Sequence, residues 1–415
     1  MNGYLCIACA EQQSADFAGF LCPACGGNLE ITYDYDAVIE GIERSGIDRA
    51  RSIFTFSAFL PVQRPAERFP LRIGRTPLYP ARRLGESLGL RNLYLKDDTV
   101  NPSASSKDRA SAIVVRRAMD LGADVVSVAS TGNAASSLAC VAASVGLPAI
   151  VFVPETAPPA KLTQSLSYGA TVLAVRGNYD DAFDLCLAAS DEFGWFNRST
   201  GYNPFTREGK KVCAFEIWES LDGRAPDRVI VPTGDGNLLS GMWKGWRDLQ
   251  AVGLVDRLPR IDCVQSESSA AICNTVDALR AAGEEGIDWR KVSIEAVTAS
   301  TVADSIAVDR PRDGLAAVRA IIESGGEAVK IPDDEILDAI TEMSRLSGVF
   351  PEPAAAAPWA ALKRMLADKT VAADELVVCL VSGSGLKDVA GARRAAPEPH
   401  VIDPSIDAVR AALEH

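Results

Sequence analysis

Val125-Val-Ser-Val-Ala129, Ser130-Thr-Gly-Asn133, an Ala- and Ser-rich stretch to Val145, then Ala149-Ile-Val-Phe-Val153: the thirty residues from Val125 to Pro154 carry no charge. A membrane span needs a nearly uniform apolar stretch of about 20 residues. Here Ser130, Thr131, Gly132, Asn133, Ser136, Ser137 and Pro148 interrupt the run. The pattern is that of two short apolar strands joined by a polar turn and a helix, buried inside a soluble body.

The same rhythm extends in both directions. Apolar strands are predicted at 93–96, 125–129, 149–153, 171–175, 228–232, 261–265 and 376–381. Amphipathic helices are predicted at 107–121, 134–145, 158–168, 179–193, 207–220, 237–251, 268–282, 332–346 and 354–367. Strands alternating with helices imply an α/β fold with mainly parallel sheets flanked by helices. Unbroken apolar strands suit sheets covered on both faces. The expected organisation is a small zinc-ribbon-like module at 1–35, a large domain from 36–106 and 205–400, a smaller α/β domain inserted at 107–204, and a C-terminal tail at 401–415. No internal repeat is visible.

Composition narrows the chemistry. The chain has 415 residues, 47% hydrophobic and 23% charged, ample for large cores and normal for a globular protein. With 42 Lys and Arg against 55 Asp and Glu, its net charge is −13. Such a surface repels phosphodiester backbones, so no nucleic-acid partner is expected. The two histidines, His400 and His415, stand in the last sixteen residues. Ser-His-Asp triads and His-rich metal sites are therefore excluded, and a proton shuttle must come from Lys, a carboxylate, Tyr or a cofactor. No signal peptide opens the sequence, so a cytoplasmic protein without a membrane partner is expected.

Of ten cysteines, Cys140, Cys186, Cys213, Cys263, Cys273 and Cys379 are scattered in apolar surroundings and read as core residues. The other four form two knuckles, Cys6-x2-Cys9 and Cys22-x2-Cys25, twelve residues apart. Without a secretion signal, paired knuckles suit metal better than disulfides. Four thiolates close one tetrahedral zinc site with no open position, so a structural zinc is expected.

Four segments carry chemistry, each at the carboxyl end of a predicted strand, where α/β sheets bind ligands. In Asn101-Pro-Ser-Ala-Ser-Ser-Lys107-Asp-Arg109, Lys107 opens a helix. The positive field there, with partial burial, lowers its pKa and makes the amine a nucleophile toward aldehydes. Ser130-Thr-Gly-Asn133 offers hydroxyls and N–H groups to an anion. Val231-Pro-Thr-Gly234-Asp-Gly236-Asn237-Leu238 completes neither the dinucleotide nor the Walker pattern, and reads as a cradle for one phosphate. Val381-Ser382-Gly-Ser384-Gly385 brings a hydroxyl to the sheet edge. Pyridoxal phosphate has one aldehyde, one phosphate, one ring oxygen and one ring nitrogen, matching this set by chemistry.

With Ser130-Thr-Gly-Asn-Ala-Ala135, Pro232-Thr-Gly-Asp-Gly-Asn237, Phe350-Pro-Glu-Pro-Ala354 and Ser382-Gly-Ser-Gly-Leu-Lys-Asp388 added to the lysine segment, the chain resembles fold-type II pyridoxal-phosphate enzymes over roughly residues 70–390. Within them it resembles the threonine synthase family, some of whose members also carry an N-terminal ribbon. The resemblance implies that Lys107 holds the cofactor, that Asn133 faces the ring 3-hydroxyl and that Gly234, Asp235, Gly236, Asn237 and Leu238 hold the phosphate. It implies Ser382 against the pyridine nitrogen, and Ser130 and Thr131 on the substrate carboxylate. The activity implied is that of a lyase releasing phosphate from O-phospho-L-homoserine to give L-threonine, in a homodimer.

Two departures bear on this reading. Ala104 and Ser106 stand where the family more often has Gly and Phe. The family's Asn-Pro-x-Arg-x-Glu-Gly becomes Asn203-Pro-Phe-Thr-Arg207-Glu-Gly209, with the arginine one place late. Asn203 and Arg207 are nonetheless expected on the substrate, within a basic stretch in which Arg198 or Lys210 could take the role of Arg207. The displaced arginine leaves room for another enzyme of the same fold: a threonine or serine dehydratase, a cysteine synthase or a cysteate synthase. A non-catalytic pyridoxal-phosphate sensor with a zinc ribbon is the third reading, and the complete Lys, Asn, Gly and Ser set argues against it.

Overall fold

The computed structural model describes residues 1–45, 52–63, 69–283 and 286–413. Residues 46–51, 64–68 and 284–285 of the expected large domain, and 414–415 of the expected tail, lie outside the described residues.

The described residues build three sheets. The first is antiparallel, in the order β2-β1-β3, from β1 (Gly3–Cys6), β2 (Gln12–Ser14) and β3 (Leu29–Thr32). Helix α1 (Tyr35–Ser45) leads out of it. The largest sheet contains β4 (Leu78–Pro80), β5 (Asn92–Asp97), β10 (Arg228–Pro232), β11 (Arg260–Ser266), β12 (Ala328–Ile331) and β13 (Leu376–Val381). Its order is β12-β11-β10-β13-β5-β4, parallel except for β4. The third sheet falls within residues 126–197 and is wholly parallel, β8-β7-β6-β9, from β6 (Val126–Ala129), β7 (Ala149–Pro154), β8 (Thr171–Val175) and β9 (Phe196–Asn197).

The helices between the strands are α2 (Arg82–Glu86), α3 (Lys107–Asp120), α4 (Asn133–Val145), α5 (Pro159–Ser167), α6 (Tyr179–Phe193), α7 (Phe205–Ser220), α8 (Asn237–Ala251), α9 (Ala271–Ala282), α10 (Gly314–Ser324), α11 (Asp333–Ser347) and α12 (Pro353–Ala367), and α13 (Val389–Ala395) and α14 (Ile406–Leu413) follow β13. None of the described helices is long and apolar enough to cross a membrane.

Every apolar strand expected from the sequence is present within one residue of its bounds. Both faces of β6, β10 and β13 are covered, as their mainly apolar runs require, and the polar exceptions are paired, Ser127 with Ser190 Oγ at 2.7 Å and Arg228 with Asp262 at 2.9 Å. Each fully buried Val of β13 contributes on the order of 1.5–3 kcal/mol. The strands that the sequence did not announce in the two larger sheets are β4, β9 and β12, all short and all at sheet edges. Half-exposed edge strands of two to four residues leave too little apolar pattern to read.

Candidate active site

β10, β13 and β5 are consecutive in the large sheet although they are far apart in the chain. Three of the four chemistry-bearing segments therefore leave one sheet edge side by side. The lysine and serine segments are stitched together there. Ser106 N–H donates to the Ser382 carbonyl at 2.8 Å, and Ser384 N–H to the Ala104 carbonyl at 3.0 Å. Ala104, at the family's glycine position, has φ of 65°, in the left-handed region that alanine enters at a cost.

Lys107 opens α3 and is half-buried. Its flanks are far from solvent: Asp108 and Arg109 are wholly buried. The Asp108 carboxylate accepts from Ser103 N–H at 2.7 Å, closing the turn before the helix. Arg109 pairs with Asp98 at 2.7 Å and with Glu216 of α7 at 2.7 Å. Lys96 joins the same Glu216 at 2.7 Å. Against the pull of burial, Arg109 and Lys96 hold the Glu216 carboxyl well below the usual carboxylate range. These pairs fix the first turn of α3 and so the origin of the Lys107 side chain.

Lys107 lines a cavity of about 390 Å3 together with Ser130, Thr131, Asn133, Gly234, Asp235, Gly236, Leu238 and Ser382. Asn237 begins α8 behind them, its amide donating to Asp313 at 2.8 Å. The Asn133 amide reaches Ser305 Oγ and both oxygens of Glu352, each at 3.1 Å. Burial raises the Glu352 carboxyl, against the pull of Asn133 and Lys107. Glu352 and Tyr179, which also borders the cavity, are site residues that the sequence did not single out. The only signal for Glu352 was its place in the Phe350-Pro-Glu-Pro-Ala354 motif.

Two residues expected on the substrate are not brought to the cavity. The Asn203 amide donates to the Asn197 carbonyl at 2.7 Å, and its oxygen accepts from Phe205 N–H at 2.8 Å, which starts α7. Arg207 spends its guanidinium on Asp313, on Ser240 Oγ at 3.1 Å and on the Leu29 carbonyl at 3.1 Å. Arg198 does line the cavity. It is buried, bonded to Thr200 Oγ1 at 2.5 Å and Ser111 Oγ at 3.2 Å, and has no carboxylate partner among the described residues.

The glycine turn also has its own geometry. Gly236 has φ of 93°, and a Cβ there would meet the Asp313 carbonyl oxygen at 2.7 Å and Ala317 Cβ at 2.9 Å. A side chain at Gly236 therefore collides with the protein itself, not only with a ligand.

Charge is unbalanced around this turn. Lys107, Arg198 and Lys210 stand in the field of Asp235, and none of the three is in an ion pair among the described residues. Burial lowers the Lys107 amine, opposed by Asp235 and Glu352. Burial pulls Arg198 down to about 10 and Lys210 down to about 7. Lys107 and Arg198 line the cavity, and Lys210 is buried in the same field without bordering it; such a concentration of unpaired basic groups in an acidic protein suits an anion.

The residues fit pyridoxal phosphate. Lys107 offers an amine free of any hydrogen bond among the described residues, and the start of α8 offers N–H groups to a phosphate. Lys210 Nζ is buried beside that start with no partner, and Ser382 presents a hydroxyl from the end of β13.

In the N-terminal sheet, Cys6, Cys9, Cys22 and Cys25 converge with all four Sγ atoms within 4.8 Å of one another. The module is fastened to the body: Arg247 pairs with Glu30 at 2.8 Å, Asn28 donates to the Gly201 carbonyl, and Arg319 donates to the Ile7 carbonyl at 3.0 Å.

Residues 70–383 match the family model described as "Pyridoxal-phosphate dependent enzyme". The chain is 36% identical over 411 residues to a threonine synthase of Methanocaldococcus jannaschii, covering 99% of this chain and 98% of that protein. A threonine synthase of Methanosarcina acetivorans is likewise 36% identical, with 98% of each chain covered. Among solved structures, the processed form of threonine deaminase isoform 2 from Solanum lycopersicum superposes with a TM-score of 0.65 at 20% identity, covering 78% of this chain and 87% of that one. An L-serine ammonia-lyase from Rhizomucor miehei gives 0.63 at 20% identity, covering 78% and 97%. The two structures share the fold of this chain, and the family match and the full-length relatives decide its membership. The chain belongs to the pyridoxal-phosphate dependent enzyme family, with threonine synthases related to it along its whole length.

Proposed function

We propose that the protein converts O-phospho-L-homoserine and water to L-threonine and phosphate, with Lys107, Asn133, Gly234 to Leu238 and Ser382 holding the cofactor. The observation that carries this reading is the unpaired Lys107 amine in one cavity with Arg198, a buried cation that pairs with no carboxylate among the described residues. In this reading the large unit, 36–106 with 205–400, supplies Gly234 to Leu238 and Ser382, and the smaller unit, 107–204, supplies Lys107 and Asn133 to the cofactor and Ser130, Thr131 and Arg198 to the substrate.

When bound, the cofactor withdraws electrons from the substrate α-carbon. Lys107 Nζ, its proton affinity lowered by burial, takes the proton from Cα and moves protons along the substrate chain. That role suits a sequence with no histidine before position 400. Ser130 and Thr131, before the start of α4, hold the substrate carboxylate. Arg198 grips the distal phosphate through paired N–H groups and keeps it oriented as it leaves. Ser382 would offer a neutral hydroxyl, not a carboxylate, to the ring nitrogen of a bound cofactor, which would favour elimination and replacement over transamination.

The test is a panel of O-phosphohomoserine, O-phosphoserine, threonine, serine and O-acetylserine on purified protein, with phosphate and keto-acid release both measured. Phosphate release with threonine formation from the first substrate is expected. Lys107→Ala should abolish turnover and the visible absorption of the bound cofactor. The diversion of Arg207 to Asp313 favours one second reading, a dehydratase or a β-replacing synthase. Keto-acid release from threonine or serine, with O-phosphohomoserine ignored, would establish it.

We also propose that Cys6, Cys9, Cys22 and Cys25 hold one structural zinc. Sulfur separations of 3.4, 3.5 and 3.7 Å support it. Four thiolates at about 2.3 Å from one ion lie about 3.8 Å apart.

A further inference from the structure

Helix α8 follows the Gly234–Gly236 turn; its Asn237 N–H donates to Asp235 Oδ1 at 3.1 Å, and the N–H groups that follow draw an anion. A second feature of this place is independent of the helix. Lys210 Nζ is completely buried, has no hydrogen-bond partner and forms no ion pair among the described residues. A buried amine without a partner either gives up its proton or awaits an anion.

Helix packing explains how the lysine comes to be there. A Cβ on Gly209 would lie 2.1 Å from the Arg109 carbonyl oxygen, so α7 can approach α3 this closely only with glycine. On the other side, a Cβ on Gly241 would lie 3.0 Å from Lys210 Cβ and 3.1 Å from the Arg207 carbonyl oxygen. Lys210 is thus held between the turn that presents Lys107 and the first turns of α8. Its amine feels Asp235 and Asp313, which flank the start of α8, and is repelled by Lys107 and Arg198.

We propose that Lys210 donates a charged hydrogen bond to the phosphate of the cofactor, supplementing the N–H groups of the glycine turn. This rests on the reading that residues 234–238 hold that phosphate. An ammonium paired with a phosphate oxygen keeps its proton more firmly than the same amine buried alone. The groups facing it are Lys107 of α3, Arg198 after β9, Asp235 of the turn and Asp313 before α10. Lys210 alone starts at about 7, so cofactor binding above neutral pH takes up a proton there.

The experiment compares apo wild type with Lys210→Met by titration with pyridoxal phosphate and with pyridoxal, which lacks the phosphate, and by thermal unfolding without ligand. Wild type should bind the phosphorylated form far more tightly. Lys210→Met should weaken pyridoxal phosphate by about ten- to a hundredfold, as the loss of one charge-assisted hydrogen bond implies. It should leave pyridoxal unchanged and the apo melting temperature equal or higher, because an apolar chain of similar length replaces an unpaired charge. Between pH 7 and 9 the wild-type advantage over the variant should shrink.

A variant that keeps the preference for pyridoxal phosphate within twofold overturns the role of Lys210 while leaving the turn as the phosphate site. Wild type that binds both ligands equally overturns the phosphate reading of the turn itself. A variant whose cofactor affinity is intact but whose inhibition by inorganic phosphate is lost assigns the amine to the substrate side, and also overturns the proposal. If Lys210→Met fails to accumulate folded, Lys210→Gln carries the same comparison.

Discussion

The guanidinium of Arg207 is paired with the carboxylate of Asp313, and both side chains are buried. The second Asp313 oxygen accepts from Asn237 Nδ2 at 2.8 Å and Ser240 Oγ at 2.7 Å. Arg207 also holds the Leu29 carbonyl of β3. It therefore ties the cysteine module to the first turn of α8 and is occupied three times over before any substrate arrives.

Arg207→Ala should act on the fold before it acts on the substrate. Removing one partner of a buried ion pair costs about 3–5 kcal/mol. A melting temperature lower by several degrees is expected, with faster loss of cofactor on dialysis. Calorimetry and the visible absorption band measure both. If the variant melts like wild type and only its KM for O-phosphohomoserine rises, Arg207 belongs on the substrate after all.

Arg198→Met should give the opposite profile. The side chain borders the cavity and, among the described residues, has only hydroxyl and carbonyl partners, so its charge is available to a ligand. The KM for O-phosphohomoserine should rise more than tenfold, equivalent to about 1.4 kcal/mol or more. Inhibition by inorganic phosphate should weaken in parallel. An unchanged KM would place the distal anion elsewhere.

Zinc should be found at one per chain in reduced protein prepared without chelator. Cys9→Ser should lose it and melt at lower temperature, while the colour of the bound cofactor persists, since no cysteine of this cluster borders the cavity. The link from Asn28 to the Gly201 carbonyl gives the module a hold on the loop after Arg198. Metal analysis that finds no zinc would leave the four thiols as packing residues.

Ala104→Gly should stabilise the protein slightly. Its φ of 65° costs an alanine about 1–2 kcal/mol, and glycine returns part of that gain as chain entropy. A net rise of up to about 1 kcal/mol is expected in denaturant unfolding, with KM unchanged. A loss of stability would mean that the methyl group is packed well enough to outweigh the backbone.

The sequence by itself determined the elements and the chemistry carried on them. Runs such as Val229–Pro232 and Leu376–Val381 are apolar throughout because both faces of their strands are covered, so they can be read without knowing their neighbours. Lys107 at a helix start and the Gly234–Gly236 turn are local arrangements, set by a few consecutive residues. The tertiary structure alone decided what stands next to what. It set β10, β13 and β5 side by side, and it left the short edge strands β4, β9 and β12 to be fixed by pairing. It also decided which cation serves which partner. Residues on a helix turn about 100° per position, so an arginine one place late leaves on another face. In this protein that face meets Asp313 and β3, while Arg198 from the end of β9 reaches the cavity and Lys210, one turn along α7, lies under the start of α8. Spacing along the chain does not encode such directions, because they depend on how closely Gly209 and Gly241 let three helices approach.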